Sequence, residues 1–365
     1  MRRLVRAERG SAMVMQDGGT VDVRPGHDPR RAAPEHSGAY LATGLCLALY
    51  ALAMLGWTVY GIAESDGSTW DFVEGLFNPG ASPAAQLLGP YEWAFTVVFL
   101  VVAGLALAQR RVVRTAALLS GFLLLAVSAR EGVGLLDAAY RDQYSNDPLG
   151  GWALATRGLG LLTALVVLTV MFPATERRGG ATALGGRDAA PGSGEPDAGW
   201  RRPTRISGVL FLLNGLAQLA WTVRNVTSPG MDAGRYLRDA VDASVLGNLH
   251  VAATVEFTTV GSVVVLLVLG VLAVRGRRDV RGALVVFAAV QLYLTVRTVV
   301  WLAVTDFFNR TFETTEGALS MVTTAFALAA MTSVVLLATG RGFGPYGGAR
   351  AETFRTALDG RYSER

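Results

Sequence analysis

"WTVYG" occupies Trp57–Gly61, and "WTVRN" occupies Trp221–Asn225, at an offset of 164 residues. Each closes a long apolar run, so the two stretches can be laid over one another and the alignment carried outward. At the same offset of 164, Glu92 falls on Glu256. A three-residue shift, to an offset of 167, puts "RRVVR" (110–114) on "RRDVR" (277–281) and Arg130 on Arg297. Two further residues bring "DAAYR" (137–141) onto "DFFNR" (306–310). Landmarks in one order with small insertions point to an internal duplication.

The apolar residues say what was duplicated. The 365-residue chain is 51% hydrophobic and only 17% charged, against about 25% charged in an ordinary soluble domain. Its mean hydropathy is +0.37. The apolar runs fall near 41–63, 93–108, 112–136, 153–172, 206–223, 251–274, 282–304 and 317–338. A helix needs about 20 such residues to cross a hydrocarbon core, where only helices or closed barrels satisfy the backbone. The expected fold is therefore an all-α integral membrane protein with eight transmembrane helices, arranged as two tandem four-helix units. An even number of spans per unit gives both the same orientation, a parallel repeat. The units are expected at 39–175 and 204–342, joined by a flexible linker at 176–203 rich in Gly, Ala and Pro. Residues 1–38 and 343–365 are expected to be tails, the first disordered. A cleavable signal peptide is not expected, because the first run is longer than an h-region.

Charge sets the expected orientation. All the basic residues are Arg, and they cluster in "MRRLVRAER", "QRRVVR" (109–114), "GWRRPTR" and "RGRRDVR" (275–281). The segment 63–90 has Glu64, Asp66, Asp71 and Glu74 but no Arg. The positive-inside rule then puts both termini and the linker in the cytoplasm of a cell-membrane protein. The formal charge of +4 sits beside the spans, so nucleic acid is not an expected partner. Tryptophan is one-sided: Trp57, Trp70, Trp93, Trp152, Trp221 and Trp301 fall at the predicted outer end, as interfacial anchors would. "STWDFVEGLF" and "DAGRYLRDAVD" are expected to form short helices lying on that outer surface.

Ionisable residues in spans are the candidates for function. Arg130 lies 16 residues beyond Arg114, and Arg297 lies 16 beyond Arg281, about 24 Å along a helix. Glu92 and Glu256 sit near the same height, so Glu92–Arg130 and Glu256–Arg297 pairs are expected. Asp137–Arg141 and Asp306–Arg310 have the favourable i, i+4 order and are expected as structural pairs at the outer end of the third helix of each unit. The second unit adds amides absent from the first: Asn214 and Gln218 where the first has Tyr50 and Met54, and Gln291 where it has Leu124. Asn214, Gln218 and Trp221 share a helical face. With Glu256, Arg297 and Gln291 they form the candidate polar site, either as interhelical glue or as the wall of a pocket.

No HExxH, CxxC, nucleophile elbow or phosphate-binding GK[ST] occurs, and Cys46 is the one cysteine. Tandem four-helix units with an outer-loop helix are similar, in layout only, to the haem A synthases. The haem-ligating histidines that layout requires have no counterparts: His27 and His36 lie in the tail, and His250 starts the sixth span. No cofactor or metal is therefore expected. The leading expectation is a non-enzymatic membrane protein that binds or moves a small amphipathic or anionic molecule near its outer face. The alternatives are a membrane enzyme on a lipid or isoprenoid-like substrate, with Glu256 as general acid, and a membrane scaffold. Beyond the lipid bilayer and a small-molecule ligand, no partner or oligomeric state follows from the sequence.

Overall fold

A computed structural model describes residues 15–16, 19–20, 31–64, 68–80, 88–174, 198–245, 252–276, 280–305 and 311–339. Apart from a two-residue antiparallel pairing of Met15–Gln16 with Gly19–Thr20, the described elements are helices. They are α1 (Ser37–Glu64), α2 (Thr69–Phe77), α3 (Pro90–Leu107), α4 (Val113–Gly134), α5 (Ala138–Asn146) and α6 (Gly150–Met171). The second half holds α7 (Ala198–Val226), α8 (Ala233–Val241), α9 (Val255–Val274), α10 (Arg281–Val304) and α11 (Thr315–Thr339). Eight of these, all but α2, α5 and α8, are long and apolar enough to cross a membrane. Their outward faces carry bare leucines and valines, among them Leu45, Leu49, Leu52, Val264 and Leu336. So continuous an apolar surface is foreign to a soluble monomer.

Most of the expected tails and linker, together with the last residues of the chain, lie outside the described residues. Two edges do not. Ala32 donates its N–H to the Gln109 carbonyl at 2.8 Å, so residues 31–36 pack on the α3–α4 turn rather than belonging to a free tail. Helix α7 starts at Ala198, inside the stretch expected to be linker.

The same packing recurs in each half. Helix α1 lies on α3 and α6, and α4 lies on α6; correspondingly, α7 lies on α9 and α11, and α10 on α11. Small residues set the closest crossings. A Cβ on Gly44 would come within 2.8 Å of Leu107, and one on Gly208 within 2.8 Å of the Val274 nitrogen. Arg114 donates to the Met171 and Phe172 carbonyls, each at 3.1 Å. Arg281 donates through Nε to the Ala338 carbonyl at 2.9 Å. In both places a cation satisfies carbonyls left open at a helix C-terminus, where the dipole favours it. Buried Trp57 donates to Thr156 Oγ1 at 2.9 Å, and Trp221 donates to Thr323 Oγ1 at 3.2 Å. The duplicated tryptophans that open the alignment therefore face into the bundles and are not anchors, whereas Trp70 and Trp152 are each 71% exposed.

The halves meet through α4 and α10, with α3 also packed on α10. At their first turns a Cβ on Gly282 would lie 2.2 Å from the Val112 carbonyl oxygen, so only glycine fits this crossing. The short helices α2 and α8 reach across. Arg130, on α4, donates to the Asp239 and Asp242 carbonyls at the C-terminal end of α8, each at 3.2 Å. Tyr293, on α10, donates to the Leu76 carbonyl of α2 at 2.7 Å. Arg297 approaches the Gly75 carbonyl at 3.4 Å. An arginine on the third long helix of each half thus meets the carbonyl end of the other half's connecting helix.

Both connecting helices have sequence-coded starts. Ser68 and Asp71 form a reciprocal capping box on α2, and Asp232 caps α8 through the Gly234 and Arg235 N–H groups. Arg235 and Asp239 approach at 4.0 Å. Helix α5 was not expected. The third long helix ends at Gly134, and exposed Asp137 accepts from the Ala139 and Tyr140 N–H groups, starting a new element.

Candidate functional site

A cavity lies between the halves, on the side where α9 does not pack closely on α4. Its volume is about 410 Å³, within the usual range of roughly 300–1,000 Å³ for small-molecule sites. Helix α3 supplies Phe95 and Phe99, α4 supplies Leu119 and Leu123, and α9 supplies Phe257 and Val265. Ala240 and Val241 of α8 close one end, so this helix caps a cavity rather than lying flat on the surface. Part-way along, Phe122 on α4 and Val264 on α9 are 51% and 53% exposed while also lining the cavity. The opening is thus lateral, among the apolar outward faces of the long helices.

The polar groups concentrate toward the α8 end. Glu92, Arg157, Tyr50 and Tyr91 line the wall there. Glu92 sits in the first turn of α3, and its Oε1 accepts the Ala253 N–H at 2.7 Å. The carboxylate also faces the N–H groups of Gly89 and of Glu92 itself, the helix-terminus setting that favours an anion. A Cβ on Gly89 would lie 2.6 Å from Glu92 Oε2, so a side chain there would displace the carboxylate. Arg157 lies close enough for its charge to act on Glu92.

Arg157 also belongs to a buried network missed in the sequence. It is 7% exposed, and its Nε lies 3.4 Å from Oε2 of Glu131, itself 5% exposed. Tyr140 and Tyr144, on α5, donate to Glu131 Oε1 at 2.8 and 2.6 Å. This joins α4, α5 and α6. Burial pushes the Tyr140 phenol up to about 12, the Tyr144 hydroxyl partly countering and Glu131 adding to it. Tyr144 is also raised, by burial first and then by its bond to Glu131. Both phenols therefore remain donors throughout the neutral range. At the offset of 167, Glu131 corresponds to Thr298 and Arg157 to Thr324. A comparison anchored on charges present in both halves passes over this pair.

The expected ion pairs are not formed as drawn. Arg130 points away from Glu92 to the end of α8, with its guanidinium carbon 5.5 Å from the Phe257 ring centroid. Arg297 turns to α2. Glu256, half-buried at the start of α9, acts on Tyr236 of α8, whose phenol is raised by burial first and then by that carboxylate. Helix carbonyls took the place of carboxylates: α2 and α8 deliver open C-terminal carbonyls to the arginines, and the glutamates stay at their own helix starts. Asp137 caps α5, and exposed Arg141 follows one turn later. Asp306 and Arg310 lie outside the described residues.

The amide cluster does assemble. Asn214, Gln218, Trp221 and Gln291 line a separate cavity of about 280 Å³ among α7, α10 and α11. Neither Glu256 nor Arg297 lines it. Gln218 Nε2 donates to Gln291 Oε1 at 3.2 Å, and Gln291 Nε2 donates to Ser262 Oγ at 3.1 Å. The candidate polar site therefore divides into a neutral amide cavity, Arg297 against α2 and Glu256 beside Tyr236 of α8.

Comparison of the chain with protein-family models, with curated proteins and with solved structures returns no match.

Proposed function

We propose that this is a cell-membrane protein built from two parallel copies of a four-helix unit, with both termini cytoplasmic, that binds an amphipathic molecule drawn laterally from the bilayer. Support for the duplication is contact by contact. Trp57–Thr156 and Trp221–Thr323, Arg114–Met171 and Arg281–Ala338, and Gly44–Leu107 and Gly208–Val274 match at offsets of 164 and 167. The arginine-rich turns favour the orientation, which puts α2, α5 and α8 outside.

One observation carries the binding reading: a cavity lined by Phe, Leu and Val opens sideways at Phe122 and Val264 and reaches Glu92 and Arg157 toward its α8 end. A tail enters among like surfaces at little cost. A head group carrying donors and acceptors meets an acid and a base that are both held in place. Placing the polar end toward the outer boundary follows from Glu92 lying in the first turn of α3.

Organic extraction of the purified protein, followed by mass spectrometry, tests this. The expected extract holds one amphiphile in near-stoichiometric amount. Gly261→Trp should abolish it, because Gly261 lines the cavity and a Cβ there meets no atom within 4 Å. An extract that mirrors the bulk lipid mixture and is unchanged by Gly261→Trp contradicts the proposal.

A second reading, an enzyme acting on the same class of molecule, gains from a carboxyl lying at the end of an apolar passage. Its acid would be Glu92 and not Glu256, since only Glu92 lines the cavity. Glu92→Gln would then keep the amphiphile bound and stop its conversion.

A further inference from the structure

The neutral cavity in the second half has a chemistry of its own. Its mouth lies near Trp221, Thr298 and Ser320, each about two turns from the end of its helix that faces α8. Asn214 lies seven residues below Trp221 on α7, about 10 Å deeper. Its side chain is 3% exposed, and its Nδ2 has no hydrogen-bond partner among the described residues. A buried donor left open is costly and rare in native proteins. The walls present the converse. Thr295 and Thr298 have spent their hydroxyl protons on the Gln291 and Leu294 carbonyls, at 2.7 and 3.0 Å. Thr323 points its proton to the carbonyls of its own helix and accepts from Trp221. Hydroxyl oxygens on the walls retain free lone pairs, and the Asn214 amide, whose open Nδ2 is itself buried, forms part of the floor.

No charge lines the cavity. Arg224 stacks 5.2 Å from the Trp221 ring centroid and is ion-paired with Glu316, so the cation nearest the mouth is neutralised. A carboxylate or phosphate would meet oxygen lone pairs on the walls, and a cation would find no carboxylate. The groups that suit both walls and floor are those that donate and accept without charge. About 280 Å³ equals the share of about nine liquid waters at roughly 30 Å³ each, which limits the ligand to a small molecule.

We infer that this cavity is a binding site for a small neutral polyhydroxylated molecule, a polyol or monosaccharide, entering past Trp221. The site is particular to the second copy. The positions of Asn214, Thr298 and Thr324 are held in the first by Tyr50, Glu131 and Arg157, where bulk and charge replace neutral hydrogen-bonding groups. The inference is independent of the amphiphile cavity and survives its failure.

Equilibrium dialysis of the purified full-length protein against tritiated glycerol, xylitol and glucose, with gluconate as an anionic control, provides the test. At least one neutral probe should bind saturably and gluconate should not. Asn214→Leu should weaken that binding about tenfold, the loss of one polar group from the floor, with a melting temperature equal to or above that of the parent because an open polar group is removed. Thr324→Val, on a different helix, should weaken binding similarly, so a folding failure of one variant leaves the other to decide. Absence of saturable binding by all three neutral probes means that the cavity holds water only and overturns the inference. So does unchanged binding in folded Asn214→Leu and Thr324→Val, or tighter binding of gluconate than of glucose.

Discussion

Replacing Glu131 with leucine removes the carboxylate that lies 3.4 Å from Arg157 Nε. Arg157 is 7% exposed and Glu131 is 5% exposed, so water cannot readily substitute for the lost carboxylate. Breaking one side of a buried ion pair costs about 3–5 kcal/mol. The same change removes the acceptor of Tyr140 and Tyr144, whose bonds to Oε1 measure 2.8 and 2.6 Å. Such bonds to a charged group are worth about 1.5–3 kcal/mol each, but groups in one network do not add. A loss of about 4 kcal/mol is expected, close to a thousandfold in the unfolding equilibrium. Glu131→Leu combined with Arg157→Met removes both charges and should recover most of that loss, since an apolar pair of similar volume is close to neutral. Unfolding in mixed micelles by rising SDS, followed by tryptophan fluorescence, reads all three proteins. If Glu131→Leu costs less than about 1 kcal/mol, or the double variant is no better than the single, the buried pair is not ionic and the reasoning is wrong.

Two further outcomes follow from the packing. Gly282→Val drives a side chain into the Val112 carbonyl, 2.2 Å from where its Cβ would sit; it should separate the halves, measured as loss of cross-linking between cysteines placed at the α4–α10 crossing. The Tyr140 phenol is raised from 10.0 to about 12, so its stabilisation is fully present below pH 10.0 and is lost as pH climbs toward about 12. Alkaline unfolding curves should show that decline, and Tyr140→Phe should flatten it.

The long helices were legible because about 20 apolar residues admit few alternatives, and α2 and α8 because Ser68 and Asp232 announce helix starts. Helix α5 was not, since "AAYRDQYSN" buries only Tyr140 and has no apolar stripe to detect. Arg130 and Arg297 have other partners than the glutamates expected for them. Position along a helix gives depth, whereas the acceptors of Arg130 and Arg297 are backbone carbonyls with no side-chain signature. Asn214, Gln218, Trp221 and Gln291 were readable together because three share a helical face and the fourth differs from its counterpart Leu124. Glu131 and Arg157 were in plain view as charges inside apolar runs. Only the lack of matching charges in the second half hid them.

The lateral cavity is tested most directly by photolabelling. A single-tailed amphiphile with a diazirine in its chain, irradiated with the protein in bilayers and mapped by peptide mass spectrometry, should mark Phe99, Leu119 and Val265, which line the cavity. Labels confined to outward-facing residues such as Leu45 and Leu49, with none on those three, would contradict it.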